Sequence, residues 1–407
     1  MRRLYLLAVT ALLAAAGAAC AQSLDELNIQ IHGYATQGFV YTNHNNWNSM
    51  NTTDGSPAWT EAVFNVTAQP ESKLRVGAQV RYFLMGDSFG NAITLDWASA
   101  DYKVNDKFGI RFGKVKTPNG MYNDIQDIDP AFLWSLLPQS LYPITSRTSI
   151  LAHYGAVAYG SLPLSRKAGK LEYQLYFGER VLPANDGFFV PIMESGADMP
   201  NGLTGPTSGG TLRWHLPVTG MMLGVAWDRE DLTGPFQVPG VFQGNNVNSP
   251  FKIPFFFGKY EHNKFMFGSE YSRVPADHQT IVTQDLIPEA PPVGALLHNV
   301  IDHREWYAMT SYRLVDKLNV GAYYSSYFDV KAPLGLTQPN PAFYPNFSLN
   351  RYQKDWAISA RYDFNPYLYL KGEQHIMKGT NFGFLDEDNT ALFNNTDMTI
   401  LKLGVSF

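Results

Sequence analysis

The run Met398–Phe407, MTILKLGVSF, alternates with a period of two. Thr399, Leu401, Leu403, Val405 and Phe407 share one face, and Lys402, Gly404 and Ser406 share the other. Such a strand separates an apolar medium from a wet one. A slip of one residue would carry the lysine to the apolar side, so the register is fixed. The chain must therefore build a sheet with one apolar and one polar face. An ordinary sandwich meets that need, and so does a closed sheet whose apolar face turns outward.

The spacing of the connections favours the closed sheet. Short polar turns occur at Pro70 to Lys73, Asn105 to Lys107, Pro217 to Gly220, Glu261 to Lys264, Val315 to Lys317 and Asn365-Pro366, with a slightly longer one at Leu164 to Lys170. They alternate with long segments rich in Gly, Pro, Asn and Asp: Asn43 to Pro57, Thr117 to Ser149, Val181 to Ser208, Asp231 to Pro250, Ala276 to Val300, Lys331 to Asn350 and Thr380 to Asp397. Gly86 to Asn91 is the one short connection on the long-loop side. Short turns on one rim and long loops on the other predict a transmembrane antiparallel β-barrel of about sixteen strands. An even count returns both chain ends to the short-turn rim, and a barrel of that width leaves an aqueous channel.

Several strands define their faces. Leu74, Val76, Ala78, Val80, Tyr82 and Leu84 point outward, which turns Arg75, Gln79 and Arg81 inward. Leu171, Tyr173, Leu175 and Phe177 oppose Glu172, Gln174 and Arg180. Leu212, Trp214 and Leu216 oppose Arg213 and His215. Trp356, Ile358, Ala360, Tyr362 and Phe364 oppose Asp355, Ser359, Arg361 and Asp363, and Leu368, Leu370 and Ile376 oppose Lys371, Glu373 and His375. An Arg or Lys on the lipid face costs about 2–4 kcal/mol near the midplane, so these registers are well determined.

The beginning of the chain agrees with export. Arg2 and Arg3 precede the apolar run Leu4 to Ala19, and Ala19-Cys20-Ala21 is a small-x-small site before Gln22. This predicts a cleaved signal peptide over residues 1–21 and a single barrel domain over 22–407. The apolar run is too short for a membrane span. Lipidation at Cys20 is disfavoured by Gly17 three residues before it. Cys20 is the only cysteine, so the mature chain has no disulfide, no thiol chemistry and no cysteine metal site. Aromatic residues make up 14% of the chain and charged residues only 16%, against about 25% charged in soluble domains. Abundant Tyr, Phe and Trp on alternating strands suit aromatic girdles. A formal charge of −5 argues against a nucleic-acid partner.

The segment Phe108 to Ile150 is the strongest functional candidate. Arg111 points inward from a strand, but Lys114 and Lys116 cannot join Phe108, Ile110 and Phe112 on the lipid face. A bulge near Gly113 is expected to turn both lysines inward. The long loop that follows carries Phe132, Leu133, Trp134, Leu136 and Leu137, too apolar for a solvated loop. A loop folded against the barrel wall would bury them.

The run Gly113-Lys114-Val115-Lys116-Thr117-Pro118-Asn119-Gly120 resembles the G-x-x-K-x-P-x-G stretch of the phosphate-selective porin-like superfamily, and the whole mature chain resembles a Gram-negative outer-membrane porin. The last strand, ending on Phe407, is similar to the assembly signal of such barrels, here Leu401, Leu403, Val405 and Phe407. The resemblance implies a third loop that enters the lumen as a constriction, passive diffusion of small hydrophilic solutes, and a homotrimer. It also implies handling by the barrel assembly machinery and contact with outer-membrane lipid. Lys116, Pro118 and Gly120 would stand at the loop entrance. On this reading Asp124, Asp127 and Asp129 on the loop face Arg75, Arg81, Arg111, Lys114 and Lys116 on the wall, with Arg147 at the loop's return. Opposed charges at a constriction make a transverse field. No cofactor, metal or catalytic group is expected.

Other motifs are weaker. Gly86-Asp87-Ser88-Phe89 resembles the opening of a hydrolase family but has no companion His block. Gly109 to Lys114 is one residue short of a phosphate loop and lies on a strand. His298, Asp302, His303 and Glu305 match no standard metal spacing. A barrel enzyme of lipase type would need Ser and His outward on neighbouring strands. A β-rich surface binding protein would need no lipid face.

Overall fold

The computed structural model describes residues 27–86, 89–189, 192–193, 196–330, 351–385, 389 and 391–407. The expected signal peptide, the segment Lys331 to Asn350, and Asp87 and Ser88 of the hydrolase-like motif lie outside the described residues. The sheet has eighteen strands: β1 Gln30–Thr42, β2 Ser56–Glu71, β3 Leu74–Met85, β4 Phe89–Asn105, β5 Phe108–Lys116, β6 Ala152–Pro163, β7 Lys170–Leu182, β8 Leu203–His215, β9 Met221–Asp231, β10 Gly234–Val238, β11 Phe242–Asn248, β12 Pro250–His262, β13 Phe265–Asp285, β14 Leu296–Val315, β15 Leu318–Asp329, β16 Tyr352–Asp363, β17 Leu368–Gly379 and β18 Asn395–Ser406. Sixteen of them form a closed antiparallel barrel, in which β9 pairs directly with β12. The hairpin β10–β11 stands outside that ring and pairs with the far end of β13.

Closure is made by β1 and β18, in register from Tyr34 opposite Ser406 to Thr42 opposite Met398. Closure leaves the wall no free edge, so every ladder hydrogen bond is made within the protein. The seam continues one residue further. Gly33 N donates to Phe407 O at 3.1 Å, and Phe407 N donates to Gly33 O at 3.0 Å. A β-carbon at Gly33 would lie 2.7 Å from both the Phe407 ring and the Val63 carbonyl. Gly33→Val is therefore expected to lower the temperature at which the folded, compact species unfolds in detergent gels, while Ala35→Val leaves it unchanged.

The period-two pattern sets the two faces. Leu175 and Phe177, Trp356 and Ile358, and Leu401 and Leu403 are exposed on the outside. Arg81, Arg180, Lys371, Glu373 and Lys402 are buried inside. No helix among the described residues is long and apolar enough to cross a membrane.

Three local expectations are corrected. The connection Asp231 to Pro250 is not an open loop but folds into the β10–β11 hairpin. The chain from Ala276 to Val300 is mostly strand: β13 and β14 remain paired from Ala276–Ile301 up to Ile281–Leu296. Ala276, His278, Thr280 and Val282 share one face there and Ile281 lies on the other, a pattern hidden by the nearby prolines. The pairing of β5 with β4 and with β6 runs without a shift through Gly113, so the expected bulge is absent there. The irregularity lies on β4, where Gln79–Trp97 is followed by Val80–Leu95 and Asp96 is the extra residue.

Candidate functional site: a loop tied across the lumen

The chain leaves β5 at Lys116 and returns at Ala152, and the loop between them contacts inward-facing side chains around the ring. Its first turn is held by β8 and β9. Thr211 Oγ1 donates to Pro118 O, and Asn119 Nδ2 donates to Asp228 at 2.7 Å. Gly120 has φ +60°, and a β-carbon there would strike the Glu270 carboxylate. That carboxylate accepts from Met121 N at 3.1 Å, Tyr142 OH at 2.7 Å and Tyr307 OH at 2.9 Å. Burial, then the Glu270 charge, pushes the Tyr142 phenol well above its ordinary range, so it stays a donor.

Each of the three loop acids has a basic partner. Asp124 Oδ2 accepts twice from Arg213 at 3.0 Å. Asp127 accepts from Lys116 Nζ at 2.7 Å and from Gln79 Nε2 at 2.8 Å, while its carbonyl accepts from Tyr34 OH. Asp129 accepts from Lys371 at 2.9 Å, Lys402 at 2.6 Å and Tyr369 OH at 2.7 Å. Burial alone would raise the Asp129 carboxyl. The attraction of Lys371 and Lys402, with their hydrogen bonds, more than offsets this and holds it well below the usual carboxylate range.

The apolar cluster explains the loop's composition. Phe132, Leu133 and Trp134 pack with Tyr122, Tyr307, Met309 and Tyr323 in one buried group, and Leu136 joins Val40 and Trp59 in another. The backbone between them is anchored too. Glu373 accepts from Ser135 N and Leu136 N at 3.0 Å, and His375 Nε2 lies 2.9 Å from it. Arg361 donates to the carbonyls of Pro130 and Phe132. The return limb is fixed by Arg147, whose Nη2 is 2.8 Å from Asp96, and by Arg180, whose Nη1 donates to Ser149 O and Ala152 O.

The loop thus reaches β8 and β9 on one side, β13 to β15 on another, and β17, β18 and β1 opposite. It forms a diaphragm rather than a bar along one wall.

The wall bases are distributed differently from the sequence expectation. Arg81 pairs with Glu61 at 2.6 Å and is buried. Arg111 pairs with Asp101 at 2.9 Å, and exposed Arg75 bonds Thr67 Oγ1; both lie below the diaphragm, toward the short-turn rim. Lys114 does not turn inward. It stands opposite Ala98 and Tyr154 on the outer face, and its Nζ donates to the Leu95 carbonyl beside the β4 bulge. Lys114 therefore belongs to no lumen charge pair. Sequence reading placed Lys371, Glu373, Arg213 and Arg361 in the lumen but did not connect them with the loop. The signal was present as ionisable residues at the centres of strands. Glu61, Asp96 and Glu270 were missed on the same pattern, and Lys402, placed on the polar face of the last strand, was not connected with the loop either.

The remaining candidates are dispersed. His298 lies 3.1 Å from Asp277, and Asp302 bonds Arg273 at 2.7 Å. No group of three or more metal-ligating side chains converges among the described residues.

The closed sixteen-strand antiparallel barrel is similar in fold to solved outer-membrane channels. Solved structures with this fold include OmpF of Salmonella typhi, determined with daunomycin (TM-score 0.57, 12% identity, covering 95% of this chain and 99% of that one). Others are an anion-selective porin from Comamonas acidovorans (TM-score 0.54, 9% identity, 93% and 99%) and the outer-membrane channel DcaP of Acinetobacter baumannii (TM-score 0.53, 10% identity, 95% and 99%). At these identities the likeness is one of fold. No family model and no curated protein matches the chain.

Proposed function

We propose that this protein is an outer-membrane porin that passes small hydrophilic solutes or ions passively, through gaps left around a loop held across its lumen. The observation that carries this reading is the contrast between the two faces of one closed sheet. The outer face is aliphatic and aromatic, and the inner face is charged and hydrogen-bonded. Only a barrel with lipid outside and water inside satisfies both. The signal-peptide pattern over 1–21 supports export. The alternation of β18, with Leu401, Leu403 and Val405 on its outer face, supports handling by the barrel assembly machinery. The porin resemblance supports a homotrimer. The three-residue connection between β3 and β4 is too short to latch onto a neighbour, so the subunits would meet through barrel walls.

The charge pairs refine the transport reading. Asp127 and Asp129 are buried in ion pairs, whereas Arg75 is exposed and pairs with no carboxylate among the described residues. Arg75 is then the named wall base left to act on a permeating ion, and a modest preference for anions follows. Phosphate selectivity gains no support from Lys116, because Asp127 and the Asp124 carbonyl already hold its ammonium group. No catalytic role is assigned: His215 and His375 point inward and pair with Glu172, and with Asp355 and Glu373.

The test is the zero-current potential of purified protein in a planar bilayer under a KCl gradient. The expected result is conductance with modest anion preference. Cation preference would overturn the role given to Arg75. Absence of conductance, both in the native protein and in a variant with a loosened loop, would overturn the porin reading.

A further inference from the structure

The return limb of the loop meets β2 and β3 at an unbalanced cluster. Arg81 Nε is 2.6 Å from Glu61 Oε1, and Arg147 Nη1 is 3.9 Å from the same oxygen. Arg81 is 2% exposed and Arg147 4%. One carboxylate oxygen therefore serves two buried guanidinium groups, and only Arg81 is at hydrogen-bonding distance from it. Arg147 Nη2 uses Asp96, but Arg147 Nε, Arg147 Nη1 and Arg81 Nη2 have no acceptor among the described residues. A buried charged donor without an acceptor is costly, and two cations sharing one anion repel strongly where water is scarce.

Both arginines border a cavity of ≈ 50 Å³ between the loop and the wall, which Glu61, Asp129, Tyr34 and Lys402 also line. Lys402 is occupied by Asp129. The cavity wall carries three cations, Arg81, Arg147 and Lys402, against two carboxylates, Glu61 and Asp129. Adding their direct partners brings in Lys371 and Asp96, one of each sign, so the positive excess remains. About 10–15 Å³ of such space already admits one water, so this cavity has room for a small inorganic ion.

We propose that this cavity is a binding site for a small inorganic anion of chloride size, held by Arg81 and Arg147, which ties the returning limb of the loop to β2 and β3. Its role is distinct from permeation. A resident anion joins two surfaces, whereas a permeating one must leave. Its occupancy stiffens the loop where its return limb meets the wall, beside the Asp129 cluster.

The experiment uses the full folded protein in detergent. Crystals soaked in bromide should show anomalous density within hydrogen-bonding reach of both arginines. Replacing gluconate by chloride or bromide at constant ionic strength and pH should raise the unfolding temperature by several degrees. Arg147→Lys keeps the charge but loses the planar fork, and should weaken the chloride effect by roughly tenfold in apparent affinity. Bromide density elsewhere but none at Arg81 and Arg147 would overturn the site, as would identical unfolding in chloride and gluconate. A protein that conducts but fails these tests keeps the porin reading and loses the anion site. One that binds bromide there but does not conduct keeps the anion site and loses the porin reading.

Discussion

Asp129→Asn is expected to raise single-channel conductance several-fold and to lower stability by about 3–5 kcal/mol, the usual cost of removing one partner from a buried ion cluster. The substitution is nearly isosteric, so packing barely changes. What changes is charge. Lys371 and Lys402 are 0% and 2% exposed, and both point at this carboxylate. Without it, two ammonium groups are left facing each other in a dry setting. The cheapest relief is for the loop to withdraw and admit water. Bilayer recording reads the opening, and thermal unfolding reads the cost. A control separates charge from shape. Asp129→Leu combined with Lys371→Met and Lys402→Met should recover much of the stability, because an apolar cluster can replace a buried ion cluster. Unchanged conductance in well-folded Asp129→Asn protein would show that the diaphragm is held by its apolar contacts alone.

Arg180→Met should act at the other end of the same loop. Arg180 binds Glu230 through Nε at 2.6 Å and donates to Ser149 O at 2.8 Å and Ala152 O at 3.0 Å, where the loop rejoins the wall. Methionine fills part of the space but leaves a carboxylate and two carbonyls unanswered. The expected loss is again about 3–5 kcal/mol, with broadened, flickering conductance levels rather than one larger level, because the hinge and not the tip is freed. Arg180→Lys should recover the pair with Glu230 but not the carbonyl bonds. Its unfolding temperature should therefore fall between those of the Arg180→Met variant and the native chain. A lysine variant indistinguishable from the native protein would sink the hinge role.

These two sites show what sequence pattern can reach. A period of two is a local property, so Leu171 to Phe177 or Trp356 to Phe364 announced their outward faces without any knowledge of neighbours. The long-loop and short-turn alternation then carried the barrel and its strand number. Pairings between distant residues leave no such trace. Nothing near Asp129 announces Lys371 or Lys402, and nothing near Lys116 says that its partner is Asp127 rather than a solute. The Gly113 expectation failed for the same reason. A break in alternation showed that something had to give, but two strands were available to take the bulge, and β4 took it at Asp96. That left Lys114 outside, capping the Leu95 carbonyl. The apolar loop residues were more legible, since Phe132, Leu133 and Trp134 demanded burial wherever the loop lay.

The rim of the barrel is not level. β13 has 21 residues and β14 has 20, against 12 in β15, and the β10–β11 hairpin braces β13. The surplus of about eight residues raises a parapet of roughly 25 Å on one side of the mouth. A small ion does not notice such a wall. A large body does: arriving from that quarter, it meets the flank of a sheet before it meets the opening. On the proposed porin reading, this side of the mouth would hinder bulky visitors without hindering small solutes.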